Sequence, residues 1–137
     1  MEYSKLMRRD WVRICLKLAV LAVGIYVGLQ HLKVGAKAWF TARNDEPAAF
    51  WLAIYAGPLC TLPASITAFF NERVGGWWLI CGAFLFYIGA MGALGPEATT
   101  DNAIWFLSRW SAPMIAIGLA FLFLAKRQDI VVHPAEG

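Results

Sequence analysis

Polar and apolar positions alternate along this chain on the scale of a bilayer, not on that of a helix turn or a strand. Four runs almost free of charge, near residues 14–32, 48–70, 77–94 and 103–125, are separated by short segments that hold nearly all of the Lys, Arg, Asp and Glu. The run from Ala48 to Phe70 has no formal charge in 23 residues. At ~1.5 Å per residue, about twenty apolar residues cross the ~30 Å hydrocarbon core, and a helix in a soluble core has no reason to stay uncharged so long. The pattern predicts an all-α membrane protein, a four-transmembrane-helix bundle forming a single integral domain over residues 1–137.

The second run carries the most unusual internal features. Pro58 and Pro63 lie inside it, each removing a backbone donor, so the carbonyls of Ile54 and Leu59 lose their usual partners. Thr61, Ser65 and Thr67 are near enough in sequence to replace part of what is lost. A kinked second helix is therefore expected, with Pro58, Thr61, Pro63 and Ser65 at the bend.

The segments between runs complete the layout. Residues 33–46 mix Lys33, Lys37 and Arg43 with Trp39 and Phe40, and Leu32, Ala36, Trp39 and Phe40 share a helical face, which suits a short amphipathic segment at the interface. Gly75-Gly76 reads as a tight return between the second and third runs, and the loop 95–102 is acidic, with Glu97 and Asp101. Beyond Lys126-Arg127, which are expected to stop the fourth helix, the tail reads as extended. The basic lead, the first apolar run and the triplet Ala36-Lys37-Ala38 together imitate a cleavable signal. The segment is read here as a retained membrane anchor.

Composition agrees: 60% of residues are hydrophobic and 15% charged, against about 45–50% and 25% in soluble domains. With most residues in spans, no room is left for a separate soluble catalytic module, and the net charge of +3 comes from basic clusters that orient the chain and not from a nucleic-acid surface. With four spans, one side collects Lys5, Arg8, Arg9, Arg13, Lys17, Arg73, Lys126 and Arg127, eight in all, and the other Lys33, Lys37 and Arg43, or three. The imbalance predicts N- and C-termini on the cytoplasmic side, in a bacterial cytoplasmic (inner) membrane. Trp11, Trp77 and Trp78 then fall at the inner interface, and Trp39, Trp51, Trp105 and Trp110 at or near the outer one.

Three features bear on function. Rows of small residues at four-residue spacing, Gly24 and Gly28 in the first span, Ala53, Gly57, Thr61 and Ser65 in the second, and Ser108, Ala112, Ala116 and Ala120 in the fourth, permit close backbone approach. They pack either within the bundle or against another subunit, and the rows outnumber the faces that four helices need. Arg109 lies roughly 10 Å inside the fourth span at ~1.5 Å per residue, with Trp105 one turn earlier for a cation-π contact. It can reach outer headgroups, pair with another subunit or an acidic lipid, or bind an anionic ligand. Finally, His31 and His133 each lack a second ligand-type neighbour, and Cys15, Cys60 and Cys81 form no CxxC pair, so no structural metal or bis-histidine haem is expected, His31 being left only the role of a lone axial ligand to a pigment or haem whose other ligands a partner supplies; the cysteines read as small buried apolar residues.

No acid-base pair, nucleophile or phosphate loop is present in sequence, so the chain is expected not to be an enzyme. The reading is an accessory or scaffolding subunit whose partners are the bilayer, other membrane subunits and acidic lipid at Arg109, with contact through Arg109, Trp105, Gly24, Gly28, Ser108 and Ala112. The alternative is a small homo-oligomeric transporter or channel in which Arg109 attracts anions.

Overall fold

The structure, a computed structural model, describes residues 2–132. It is all-helical among these residues: α1 (Glu2–Thr41), α2 (Ala48–Ala56), α3 (Thr61–Phe70), α4 (Glu72–Leu94), α5 (Thr100–Phe106) and α6 (Ala112–Val132). A 3₁₀ turn, Gly95–Glu97, follows α4, and a π-helical segment, Leu107–Ser111, joins α5 to α6. Four helical stretches are long and apolar enough to cross a membrane: Arg8–Thr41, Ala48–Phe70, Glu72–Glu97 and Thr100–Lys126.

The helix ends differ from the apolar runs. α1 is one helix of 40 residues, not a span over 14–32 followed by a separate interfacial segment. No proline interrupts residues 2–41, and at about 1.5 Å per residue the helix is roughly 60 Å long, so it extends beyond the hydrocarbon. α4 begins at Glu72, with Asn71 as its cap: Asn71 Oδ1 accepts from the Val74 N–H at 3.2 Å. Gly75 and Gly76 are therefore helical, and the return is made at Asn71 alone. α6 continues through Lys126 and Arg127 to Val132, so residues 128–132 are helical and not extended.

α4 is the central helix, packed against α2, α3 and α6. Its Gly75, Gly82 and Gly89, seven residues apart, lie along the α2–α3 path. A Cβ on Gly75 would overlap the Ala68 backbone, one on Gly82 would sit 2.7 Å from the Ala56 carbonyl oxygen, and one on Gly89 would sit 2.7 Å from Ala53 N. On another face Gly76 and Gly118 cross, each within 3 Å of the other's carbonyl oxygen once a Cβ is added. In lipid, where apolar burial gives no preference for protein over acyl chains, such close backbone approach is what holds helices together. The core that results is small-residue rich: Ala64, Ala68, Leu79, Ala83, Met114, Ile117 and Phe121 form one cluster. Ala53, Phe86, Ala90 and Trp110 form a second, joined by the partly buried Phe106. The Ser111 hydroxyl donates to the Ala83 carbonyl at 3.0 Å, tying the π-helical segment to α4.

α1 lies on the outside of this unit, against α3 and α6. Among its residues whose burial is described, the buried positions are Gly24, Gly28, His31 and Gly35. At one end Glu72, 6% exposed, receives Arg13 at 2.6 Å and Lys17 at 3.1 Å, and the Lys17 ammonium also stands over the Phe69 ring at 5.1 Å. Lys17 thus meets a carboxylate of α4. Arg13, the Asn71–Arg73 turn and Ala125 line one cavity, so the start of α1 and the later part of α6 share an end of the bundle.

Candidate functional site

The two irregular stretches of the chain meet at one histidine. Between α2 and α3 the helix is interrupted over Gly57–Cys60, which contains Pro58, whereas Pro63 stands in the first turn of α3. The Ile54 carbonyl is recovered by the Leu59 N–H at 3.2 Å, one residue wider than an α-helical bond, and the Cys60 thiol donates to the Tyr55 carbonyl. Thr61 and Ser65 do not serve the carbonyls that the prolines free: Thr61 Oγ1 donates to the Gly57 carbonyl at 2.8 Å and Ser65 Oγ to the Thr61 carbonyl at 2.8 Å. In the fourth crossing the Ala112 N–H reaches the Leu107 carbonyl, and Pro113 offers no N–H at all, so the ladder widens into a π-helical turn. Pro113 also leaves the Arg109 carbonyl without its α-helical donor.

His31 fills the space between them. Only 5% exposed, its Nδ1 lies 2.9 Å from Thr61 Oγ1, and its ring forms a backbone hydrogen bond with Arg109. The imidazole also stacks on Trp110 with ring centroids 4.5 Å apart and 35° between planes, and Trp110 in turn lies 5.4 Å from the Phe86 ring. Phe86 closes over the backbone of Gly57, where a Cβ would fall 2.5 Å from the ring. One buried imidazole thus ties α1 to both distorted segments. The sequence carried a signal for this: His31 is seven residues after Gly24 and three after Gly28, in phase with the packing seam that ends at Gly35.

That seam uses up the first small-residue row. A Cβ on Gly24 would lie 2.8 Å from Ser65 Oγ, one on Gly28 2.8 Å from Leu62 Cα, and one on Gly35 would overlap Pro58. Gly24 and Gly28 thus face this chain's own α3, and Gly35 faces the turn that leads into it. Ala53, Gly57, Thr61 and Ser65 are likewise inside. Trp110, placed at or near the outer interface by sequence, is buried within the bundle, while Cys15 and Cys81 are exposed on the bundle surface and Cys60 is half-buried, which corrects the reading of the cysteines as buried residues.

The fourth-span row is different. Ser108, Ala112 and Ala116 are exposed, and so are Arg109 and Trp105; Ala120 is half-buried. The Arg109 guanidinium lies 5.8 Å from the Trp105 ring centre, as their spacing implies, and no acidic side chain among the described residues pairs with it. Large apolar side chains, Ile104, Leu119 and Phe123, are exposed on the same crossing. His133 lies outside the described residues, and among those described no three His, Cys, Asp or Glu side chains gather as a metal-ligand set. Comparison with protein-family models, curated proteins and solved structures gave no match.

Proposed function

We propose that this protein is a non-catalytic accessory or scaffolding subunit of a larger membrane complex, in a bacterial inner membrane with both termini cytoplasmic. One observation carries the reading. The glycine rows of α1 and α4 are consumed inside the bundle, yet Ser108, Ala112 and Ala116 remain exposed beside an Arg109 that no described carboxylate neutralises. A small-residue strip next to a charge is a poor surface to present to acyl chains and a good one for a partner helix that brings a carboxylate or an acidic headgroup. On this reading the interruption at Gly57–Cys60 is a fixed bend that shapes the bundle around His31, and Gly24 and Gly28 serve the fold while the α5–α6 face serves the partner.

The test is purification of the tagged chain at native expression in mild detergent, followed by mass spectrometry. Larger subunits in fixed stoichiometry are the expected result. A pure homo-oligomer would replace the reading with a transporter or channel, in which Arg109, exposed on the outside of each copy, would have to line a path between copies.

A further inference from the structure

The π-helical turn at Leu107–Ser111 decides which side chains of α5 reach the core. Beyond it, Trp110, Met114, Ile117 and Phe121 are buried at intervals of three and four residues, the spacing of one α-helical face. Carried back through an uninterrupted α-helix, that face would continue through Leu107 and Ala103. It does not. Leu107 is 41% exposed, and Phe106 takes its place, packed on the cluster of Phe86 and Trp110 with its ring 5.8 Å from that of Phe86. A turn closed from i to i+5 holds one residue more than an α turn, so α5 is rotated around its axis by one residue's share, about 100° at ~3.6 residues per turn. Trp105 thereby stands where residue 106 of a continuous helix would stand, and Arg109, inside the turn, keeps its contact with the indole.

Such a turn departs from the regular ladder and needs support from outside it. Toward α6 it is fixed by the Ser111 hydroxyl on the Ala83 carbonyl, while Pro113 has no N–H with which to close an α-helical bond to Arg109. Toward α1 it meets His31. The imidazole is hydrogen-bonded to the Arg109 backbone and lies on Trp110 at 4.5 Å, so two consecutive residues of the turn are held by one ring. The ring is itself held by Thr61 at 2.9 Å, and α1 is seated on either side of it by the contacts of Gly28 with Leu62 and of Gly35 with Pro58. We propose that His31 is the positioning residue that sets the register of the α5–α6 stretch: with the imidazole in place the turn is π-helical and Phe106 is core, and without it α5 slips by one residue, so that Leu107 enters the core and Phe106 leaves it. The seat of α1 is thereby coupled to the direction in which Trp105 and Arg109 are presented. The use of that coupling by a partner rests on the accessory-subunit reading; the register does not.

The test uses the full chain in detergent micelles with its leucine methyl groups isotopically labelled for NMR, and a doxyl-labelled fatty acid that broadens the signals of side chains facing the acyl chains. In the wild type the Leu107 signal should broaden as that of Leu119 does, an exposed leucine beyond the turn. In His31→Phe, which keeps a ring on Trp110 and loses the hydrogen bond, Leu107 should lose its broadening while Leu119 keeps it; His31→Leu replaces this variant if the wider ring unfolds the chain. His31→Gln, which retains an N–H donor, should leave Leu107 broadened. Unchanged broadening of Leu107 in the variants without a donor, or equal protection of Leu107 in His31→Gln, would overturn the proposal. Co-purification reads the consequence for assembly: His31→Phe should recover fewer of the larger partners, and full recovery with Leu107 protected would overturn the coupling to the Arg109 face. A wild type without partners would remove the subunit reading, and the methyl signals would still decide the register.

Discussion

The Thr61 hydroxyl stands between two partners, the Gly57 carbonyl, to which it donates at 2.8 Å, and His31 Nδ1, which lies 2.9 Å from its oxygen. One side chain thus serves the broken helix and the helix packed beside it. The Gly57 carbonyl also receives the N–H groups of Cys60 and Thr61, so it does not depend on the hydroxyl. His31 does. Thr61→Val, which keeps the shape, should therefore act mainly by leaving a buried ring nitrogen unpaired. A double-mutant cycle of Thr61→Val and His31→Ala, followed by thermal or denaturant unfolding in detergent, should give a coupling of about 0.6–1.7 kcal/mol, the range for interhelical hydrogen bonds in membranes. Additive effects would mean that the two residues act separately.

The seam and the outer strip should respond oppositely to the same kind of change. Gly28→Val places a Cβ 2.8 Å from the Leu62 backbone, where only a helix shift relieves the overlap, and should cost about 1–3 kcal/mol of stability. Ala112→Val adds bulk at an exposed position and should stay within about 0.5 kcal/mol. Melting temperatures of the two variants in one detergent check this. A destabilised Ala112→Val would show that the strip is part of the fold.

How much of this was legible in the sequence depended on the distance over which each feature acts. The four helices long and apolar enough to cross a membrane were, because each is written as a local run almost free of charge. Helix ends were not: α1 continues through Lys33 and Lys37, since hydropathy marks depth in the membrane and not where the hydrogen-bond ladder stops. Gly75-Gly76 looked like a turn by the rules for soluble chains, but its use is contact with Ala68 and Gly118, which lie on other helices. The pairing of Glu72 with Arg13 spans 59 residues, and no local pattern announces it. Of the candidate site, the Trp105–Arg109 contact was readable from its one-turn spacing. The link from His31 to the Arg109 backbone was not, because it requires knowing which helix passes beside Pro113.

Orientation is the next expectation. The start of α1 and the later part of α6 share an end of the bundle with Arg73, and that end collects eight of the flanking Lys and Arg against three. In a background with Cys15, Cys60 and Cys81 replaced, a membrane-impermeant thiol reagent applied from outside should label Thr99→Cys and spare Ser4→Cys. The reverse pattern would invert the protein in the membrane.

Arg109 provides the sharpest test of the proposed role. It stands nine residues after the start of α5, about 13 Å along the helix at ~1.5 Å per residue, and an unpartnered Arg deep in hydrocarbon costs about 2.5–3.5 kcal/mol on insertion scales. Trp105 offsets only part of this, because a cation-π contact at an exposed site contributes about 0.5–1 kcal/mol. A carboxylate or acidic headgroup brought by a partner would account for the remainder, and removing the guanidinium should then damage assembly without damaging insertion. Arg109→Ala is expected to resist alkaline extraction at least as well as the wild type, since the charge no longer has to enter lipid, while recovering less of the larger partners in co-purification. Arg109→Lys separates charge from geometry: it should restore recovery only in part if the partner group is a carboxylate held by both prongs of the guanidinium. Ala112→Val, stable but blocked at the neighbouring strip, should lose partners as Arg109→Ala does. Full recovery with both variants would take the α5–α6 face out of the interface, and the accessory-subunit reading would lose the observation on which it rests.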